Sequence, residues 1–337
     1  MKRPFFRTIT FLFTSATFLS FSNVRAADDL GEVKAAAEKG SAEAQYKLGR
    51  AQQKGEGVEK DPAEGLKWLE KAARQGFAEA QHALGLMHTN GVGVPQNITE
   101  GLKWYRKAAE QNHPKAQLYM GIECLEGAEA NRDFGEAMKW FRKAADQNVK
   151  EAKFYVGMLN VMGAGVPIDI PEGMKWLRKA AEQGDVRSQC RLGVIYSTGE
   201  GVPKDVELGA MYLNLAATGA ERFPEGEEAR DVLADLESSL TPEQIAAART
   251  KAAHWARKAA DQGNPDAQYT LSFLYANEQG MPKDLVQAHL YMALALKSER
   301  VPEAQFGMDE LEKMMSAEQI EAARGLARKW KPSASVK

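Results

Sequence analysis

The side chains best suited to catalysis or metal binding are few and scattered in this 337-residue sequence, which has five histidines and two cysteines. It contains no His-Glu-x-x-His, Cys-x-x-Cys or Ser-x-x-Lys motif, the patterns of zinc proteases, redox dithiols and penicillin-recognising serine enzymes. His82 and His88 fall on one predicted helix, but a spacing of six does not align them on one face. The sequence therefore predicts no catalytic set, no metal site and no cofactor.

Short glycine-rich stretches are the other candidate for chemistry, because backbone amides in such loops can hold phosphate. They read GEGV (55–58), GVGV (91–94), GAGV (163–166) and GEGV (199–202). None is followed by the Lys-Ser/Thr pair of a phosphate loop, and they recur at regular intervals. We interpret them as turns that end helices, where glycine adopts the positive φ required.

A period of 36 residues organises most of the chain. The tryptophans Trp68, Trp104, Trp140 and Trp176 are each 36 residues apart, and Tyr212 occupies the next step. Columns of glycine, leucine and alanine keep the same spacing. A fixed period of this length indicates stacked structural repeats that share one continuous core. Five 36-residue units are therefore predicted over residues 41–220.

Each unit carries signals for two helices. In the first unit, a helix is predicted from about Ser41 to Lys54, with Ala44 and Leu48 on one face. After the glycine turn, an Asp or Asn is placed to cap a second helix, and in four units a Glu follows at the spacing of a capping box. The second helix carries the Trp, which we expect to fill the space between neighbouring hairpins.

The motif A-x-x-x-L-G, then G-x-G-V, then Asp, then W-x-x-K-A-A resembles the Sel-one-like repeats (SLR), a family related to the tetratricopeptide repeats. The resemblance covers nearly all of the sequence after the N-terminal segment. It implies an all-α fold, a right-handed α-solenoid of stacked helical hairpins. The third unit departs from the motif, since GAEA (127–130) lacks the second Gly and the Val, and we expect a differently bent turn there.

The register slips after Ala220, because Trp255 follows Tyr212 by 43 residues. Residues 221–262 are predicted to form a divergent helical hairpin, with a helix start at Thr241-Pro242. A sixth unit follows over 263–299. Residues 309–330 repeat 235–255 at a step of 75, so 300–330 are predicted to form a C-terminal capping hairpin, before a tail at 331–337.

The first 26 residues have the pattern of a secretory signal peptide. MKRPFFR is positively charged, residues 9–19 are largely apolar, and Val24-x-Ala26 suits a signal peptidase. Cleavage after Ala26 would leave a capping helix over 27–40 and an exported protein, periplasmic by the style of its signal, with an extracellular location as the alternative. The net charge is −2. No basic run or further long apolar run follows, so neither nucleic-acid binding nor membrane insertion after cleavage is predicted.

Cys124 and Cys190 invite a disulfide interpretation in an exported protein. They lie 66 residues apart, about two repeats. Stacked hairpins advance by roughly a helix diameter, about 10 Å each, and a disulfide requires Cα atoms within about 7 Å. We therefore expect two buried free thiols, with an intermolecular bond as the alternative.

The positions two and six residues after each Ala44 equivalent lie opposite the Ala44–Leu48 face of the first helix. We call this second face the variable face, because its residues differ between units. In units two to five it is largely apolar, and two interpretations stay open: packing against adjacent first helices, or a groove for an extended peptide or a helix. The predicted partner-binding residues are His82, Leu86, Leu118, Tyr119, Ile122, Phe154, Tyr155, Met158 and Val194. Edge charges that would orient a partner are Glu79, Lys115, Glu151 and Arg187.

A repeat array without a catalytic set predicts a non-enzymatic exported scaffold that binds another protein or peptide; the sequence sets no oligomeric state. The resemblance implies roles as a scaffold, as an envelope-side regulator of signalling or as a factor that engages host proteins. One alternative is a cell-wall enzyme or binder, since some related proteins have been labelled β-lactamases; the missing serine motif disfavours it. Another is a purely structural spacer.

Overall fold

The computed structural model describes residues 25–126, 132–219, 224–298, 301 and 303–333, with side chains from Leu30 onward. Within these ranges the chain forms seventeen α-helices and no strand, which confirms the all-α prediction. None of the described helices has the length and apolar character needed to cross a bilayer. The predicted signal peptide as far as residue 24 and the unusual turn at 127–130 lie outside the described residues.

The chain divides into two compact units, one ending at Val149 and the other beginning at Lys150. We call them the N-terminal unit and the C-terminal unit. In the N-terminal unit, each helix packs against the next along the chain, as in an α-solenoid of stacked hairpins. Its helices are α1 (Arg25–Glu38), α2 (Ala42–Lys54), α3 (Pro62–Arg74), α4 (Ala78–Asn90), α5 (Ile98–Glu110), α6 (Pro114–Glu126) and α7 (Phe134–Asp146).

The C-terminal unit continues with hairpins of the same kind. Its helices are α8 (Lys150–Met162), α9 (Ile170–Ala181), α10 (Val186–Thr198), α11 (Val206–Ala217), α12 (Pro224–Glu237), α13 (Pro242–Asp261), α14 (Pro265–Ala276), α15 (Leu285–Ala295), α16 (Ala304–Lys313) and α17 (Ala317–Lys329). The register slip seen in the sequence corresponds to α13, a 20-residue helix that packs against both α11 and α14.

The second helix of each repeat begins at the predicted cap. The side chain of Asp61 accepts a hydrogen bond from the backbone N–H of Glu64 at 2.9 Å, and the equivalent caps of α5, α7, α9, α11 and α15 do the same. The capping box predicted for α3, α5, α7 and α9 is wrong: the Glu at the third position instead pairs with a Lys three residues on, as in Glu64–Lys67 at 2.8 Å. Reciprocal capping boxes occur at Thr241 of α13 and Ser316 of α17.

A ladder of buried glutamine side chains joins successive hairpins of the N-terminal unit. Gln81 donates from Nε2 to the carbonyl of Ala73 at 3.1 Å and accepts from Gln111 Nε2 at 2.7 Å. The same pair of bonds occurs one repeat earlier at Gln45 and one repeat later at Gln117. Because an unpaired buried amide is unfavourable, these bonds favour one register between neighbouring repeats.

The tryptophan column packs between hairpins, as predicted for a structural residue. Trp68 packs against the buried residues of α1 and α2, and Trp104 against those of α3 and α4. Trp140 is itself buried in the following cluster. A Lys three residues later lies over each ring, at 3.9 Å from the centroid for Lys71 and Trp68, so the outer edge of each ring is covered by a cation.

The two divergent hairpins share a charge pair as well as their sequence. Arg249 of α13 bonds Glu237 of α12 at 3.0 Å, and Arg324 of α17 bonds Glu312 of α16 at 2.9 Å. Both partners of the second pair follow those of the first by 75 residues. The predicted internal copy is therefore a copy in structure too.

Candidate partner-binding surface

In the N-terminal unit, four rings from three helices and one loop meet at the variable face. His82 of α4 lies 6.0 Å from the ring of Tyr119 of α6, between ring centroids, and stacks on His113 at 4.5 Å. Tyr119 stacks in turn on Tyr105 of α5 at 4.5 Å. We call His82, Tyr105, His113 and Tyr119 the His–Tyr cluster.

Local sequence explains how two of these rings are held. His113 occupies the cap position of α6, where its Nδ1 accepts a hydrogen bond from the backbone N–H of Ala116 at 3.2 Å. Tyr105 lies over Gly85 of α4, and a Cβ atom at Gly85 would stand 2.5 Å from the Tyr105 ring. Glycine at this position therefore allows the close approach of α4 and α5 that brings Tyr105 into the cluster.

Both imidazoles of the cluster are neutral at neutral pH. Burial lowers the pKa of His82 to about 3, and the nearby His113, Lys115 and Arg50 act in the same direction. Burial also lowers the pKa of His113, against the opposing charge of Glu79. The Nε2 atom of His82 is enclosed and has no hydrogen-bond partner among the described residues, so the fold leaves one polar group of this surface unused.

The remaining predicted residues of the N-terminal unit lie beside the cluster. Leu86 and Tyr119 pack against the buried residues that include Tyr105. Leu118 and Ile122 lie one turn apart on α6 and are partly exposed. The structure thus brings His82, Leu86 and Tyr119 together, with Leu118 and Ile122 on the helix that carries Tyr119.

The predicted residues of the C-terminal unit are in a different setting. Tyr155 is buried, with 6% of its surface exposed, and its ring lies 5.4 Å from that of Phe154. Phe154 and Met158 pack against a large buried cluster formed by α9–α11 and α13–α17. Val194 of α10 is partly exposed. In this unit, Phe154, Tyr155 and Met158 therefore follow the packing interpretation of the variable face.

Arg187 is not the free edge charge that the sequence suggested. Its guanidinium lies 4.5 Å from the Phe154 ring centroid and 5.3 Å from that of Tyr155. It bonds the carboxylate of Asp185 at 3.0 Å, and the Asp185 side chain is only 4% exposed. Burial would raise the pKa of Asp185, but the charges of Arg187 and Lys150 and the hydrogen bonds from Ser188 outweigh it and lower that pKa.

A second buried pair lies close to the first. Lys150, at the start of α8, bonds Asp266 of α14 at 2.6 Å, and their side chains are 16% and 8% exposed. Asp266 also lies against Gly184, where a Cβ atom would stand 2.7 Å from the Asp266 Cβ. No sequence pattern indicated this contact, because its partners lie 116 residues apart and fall outside the repeat columns.

Reactive groups are scarce in the described part of the chain. It contains no group of three or more His, Cys, Asp or Glu side chains placed to hold a metal ion. Both cysteines are free thiols. Burial raises the pKa of Cys124, and burial, together with Glu228 and Glu225, raises that of Cys190 to about 12. Neither thiol is therefore an activated nucleophile at neutral pH.

Solved structures of repeat proteins resemble this chain over most of its length. A Sel1 repeat protein from Oxalobacter formigenes is 32% identical, with a TM-score of 0.50, over 87% of this chain and 83% of that one. The protective antigen c5321 of uropathogenic Escherichia coli, which has an SLR fold, is 24% identical, with a TM-score of 0.48, over 89% and 94%. The immunity protein Pa5087 of Pseudomonas aeruginosa is 18% identical, with a TM-score of 0.42, over 76% and 81%. No curated protein matches the sequence.

The family comparison agrees with the helical hairpins. The Sel1 repeat model matches residues 42–77, 78–113, 114–149, 150–185, 186–220, 246–264 and 265–298. The last two matches follow the register slip, and residues 221–245, between the fifth and sixth matches, include α12. The chain belongs to the Sel1 repeat family.

Proposed function

We propose that this protein is an exported, non-enzymatic scaffold that binds a segment of another protein on the variable face of its N-terminal unit. Sel1 repeat proteins generally mediate protein–protein interactions and are generally not catalysts. One observation carries the choice of surface. Leu118 and Ile122 are partly exposed one turn apart on α6; their counterparts Phe154 and Met158 are partly exposed too, but they pack against a large buried cluster of the C-terminal unit.

The surface suits a short segment better than a broad interface. Two apolar side chains at positions i and i+4 of one helix, flanked by the Tyr119 ring, form a narrow stripe that matches one face of a helix or alternate side chains of a strand. The imidazoles of His82 and His113 are neutral, so they place no buried charge beside this stripe. A partner segment with two or three apolar anchors fits these features.

Site-specific cross-linking tests the proposed surface. A photoreactive amino acid at Leu118 is expected to capture a discrete partner in the cells that produce the protein, while the same amino acid at the exposed Glu110 of α5 is not. The variant Ile122→Glu should abolish capture from position 118, because a charge on the stripe opposes burial of an apolar anchor. Capture that persists in a folded Ile122→Glu protein would show that the surface is assigned wrongly.

Export is tested separately, by mass spectrometry of the protein recovered from fractionated cells. The N-terminal charge, apolar stretch and Val24-x-Ala26 support cleavage after Ala26. A mature protein that begins at Ala27 in the periplasmic or extracellular fraction is the expected result. An intact N-terminus in the cytoplasmic fraction would remove export from the proposal and leave the binding surface untouched.

A further inference from the structure

The His–Tyr cluster and the buried pair Asp185–Arg187 occupy the same positions of the repeat. His113 and Lys115 precede Asp185 and Arg187 by 72 residues, which is two repeats, and His82 precedes Phe154 by the same number. In the C-terminal unit, the cation lies over the Phe154 ring and bonds the carboxylate at the helix cap. In the N-terminal unit, the neutral imidazole of His113 stands at that cap, so the equivalent cation, Lys115, has no cap carboxylate to bond.

Two cations near His82 are left without partners by the described residues. Lys115 and Arg50 both lie close enough to the ring for their charges, added to the larger effect of burial, to lower the pKa of His82. Neither forms an ion pair within the described part of the chain. Glu79 acts on His113 but contacts neither cation within ion-pair distance. The Nε2 atom of His82 is also unpaired.

We propose that this surface binds an acidic residue of a partner protein, whose carboxylate pairs with Lys115 on the face of α6 that carries Leu118 and Ile122, as Asp185 pairs with Arg187 in the C-terminal unit. An apolar side chain of the same segment lies on Leu118 and Ile122. The inference rests on the proposed function and adds the chemical class of the bound segment: Asp or Glu next to a large apolar residue. Two uncompensated cations provide the charge complementarity.

The surface favours a single negative charge. The charge of Glu79 also acts on His113, so the net excess of positive charge is small, and one carboxylate is enough to neutralise it. Within the chain itself, the buried cations Arg187 and Lys150 are each neutralised by an aspartate. A carboxylate at Lys115 would repeat that arrangement between two molecules.

A displayed library of random peptides, panned on the full chain, tests the proposal. We expect enriched peptides to carry Asp or Glu beside an apolar residue, and to lose about fivefold or more in affinity for Lys115→Glu, the scale of one partly exposed charge pair. His113→Asp supplies the carboxylate internally and should weaken the same peptides. His113→Asn is the matched control, because Asn also caps a helix but carries no charge, and it should bind these peptides more tightly than His113→Asp does.

The possible results separate the two proposals. Peptides that lack acidic residues, or that bind His113→Asp and His113→Asn equally, would overturn the carboxylate site. If such peptides still lose binding to Ile122→Glu, the variable face stands and only its acidic specificity is wrong. If no peptide is enriched, both proposals fail. Self-association of the purified chain that disappears in Lys115→Glu would identify a second copy as the occupant and would also overturn the inference.

Discussion

The variable face differs between the two units, although both are built from one repeat. In the N-terminal unit it carries neutral rings and two cations that have no ion-pair partner among the described residues. In the C-terminal unit, the equivalent positions are held by Asp185–Arg187, with Lys150–Asp266 close by. One change at a helix cap, His113 against Asp185, separates the surface that we propose binds a partner from one whose cation is paired within the chain.

The comparison also shows where the repeat tolerates change. The ladder glutamines Gln45, Gln81 and Gln117 and the small residues between helices stay constant across the N-terminal unit, since they fix the stacking of hairpins. The variable face lies away from that core, so a charge pair can replace a ring cluster there without altering the helices. Function in such an array is set by the columns that stacking leaves free.

The largest expected effect is on the buried carboxylate of the C-terminal unit. Asp185→Ala leaves Arg187 buried without a partner and removes the cap of α10, so the free energy of unfolding should fall by about 3–5 kcal/mol. His113→Ala, at the same repeat position, removes a cap and a stacked ring but leaves no buried charge unpaired, and should lose only about 1–2 kcal/mol. Urea denaturation of both variants measures the difference. Equal losses would mean that the two surfaces are not distinguished by a buried charge.

A smaller loss is expected at the contact between α8 and α14. Asp266→Asn leaves the Lys150 ammonium, 16% exposed, without its carboxylate, and should lower the free energy of unfolding by about 2–3 kcal/mol. Glu207→Gln is the control in the same unit, because its pair with Lys251 is exposed and should contribute less than about 1 kcal/mol. If both variants unfold at the same urea concentration, Lys150–Asp266 is not a stabilising contact.

Much of the fold could be predicted because the same sequence pattern recurs in successive repeats. The 36-residue step placed the Trp column between hairpins, and the Asp caps began the second helices where expected. The glutamine ladder was not predicted, since Gln81 and Gln111 belong to different columns and only their contact reveals the bond. A periodic sequence pattern locates the helices well but says little about which positions of neighbouring repeats contact each other.

The candidate site was predicted less completely, for a related reason. The sequence identified the residues of the variable face but treated its two halves alike. Tyr155 is buried, and Arg187 is paired with Asp185, a residue at the cap of a first helix that the sequence prediction did not consider. Asp266 lies outside the regular array of repeats, so no repeat column could indicate its contact with Lys150.

Acid should distinguish the two units through His82. Its pKa is about 3 in the folded chain, mainly because of burial, and about 6.5 in an unfolded chain. The folded state therefore binds fewer protons between these values, and stability falls as the pH drops from 6.5 towards 3. His82→Phe, which copies the residue at Phe154, should remove about 2 kcal/mol of that loss by pH 4, after allowance for partial exposure.

Urea denaturation of the parent and His82→Phe proteins at a series of pH values provides the measurement. The parallel change Phe154→Leu, in the C-terminal unit, introduces no titrating group and should leave the slope of stability against pH unchanged. Parent and His82→Phe curves that stay parallel from pH 6.5 to 4 would show that the imidazole titrates normally. The neutral state assigned to the His–Tyr cluster would then be wrong.

The smallest expected change in stability is at His113, and it tests directly how Lys115 differs from Arg187. Lys115 is exposed, whereas Arg187 is largely buried, so adding the missing carboxylate should not reproduce the stability of the Asp185–Arg187 pair. His113→Asp should be more stable than His113→Asn by less than about 1 kcal/mol, and high salt should remove the difference because it screens exposed charges. A salt-independent gain of several kcal/mol would show that Lys115 already lies in a dry, closed setting, where a partner's carboxylate could not reach it. A small, salt-sensitive gain in stability would show that Lys115 is accessible to solvent, as a cation that binds a partner's carboxylate must be.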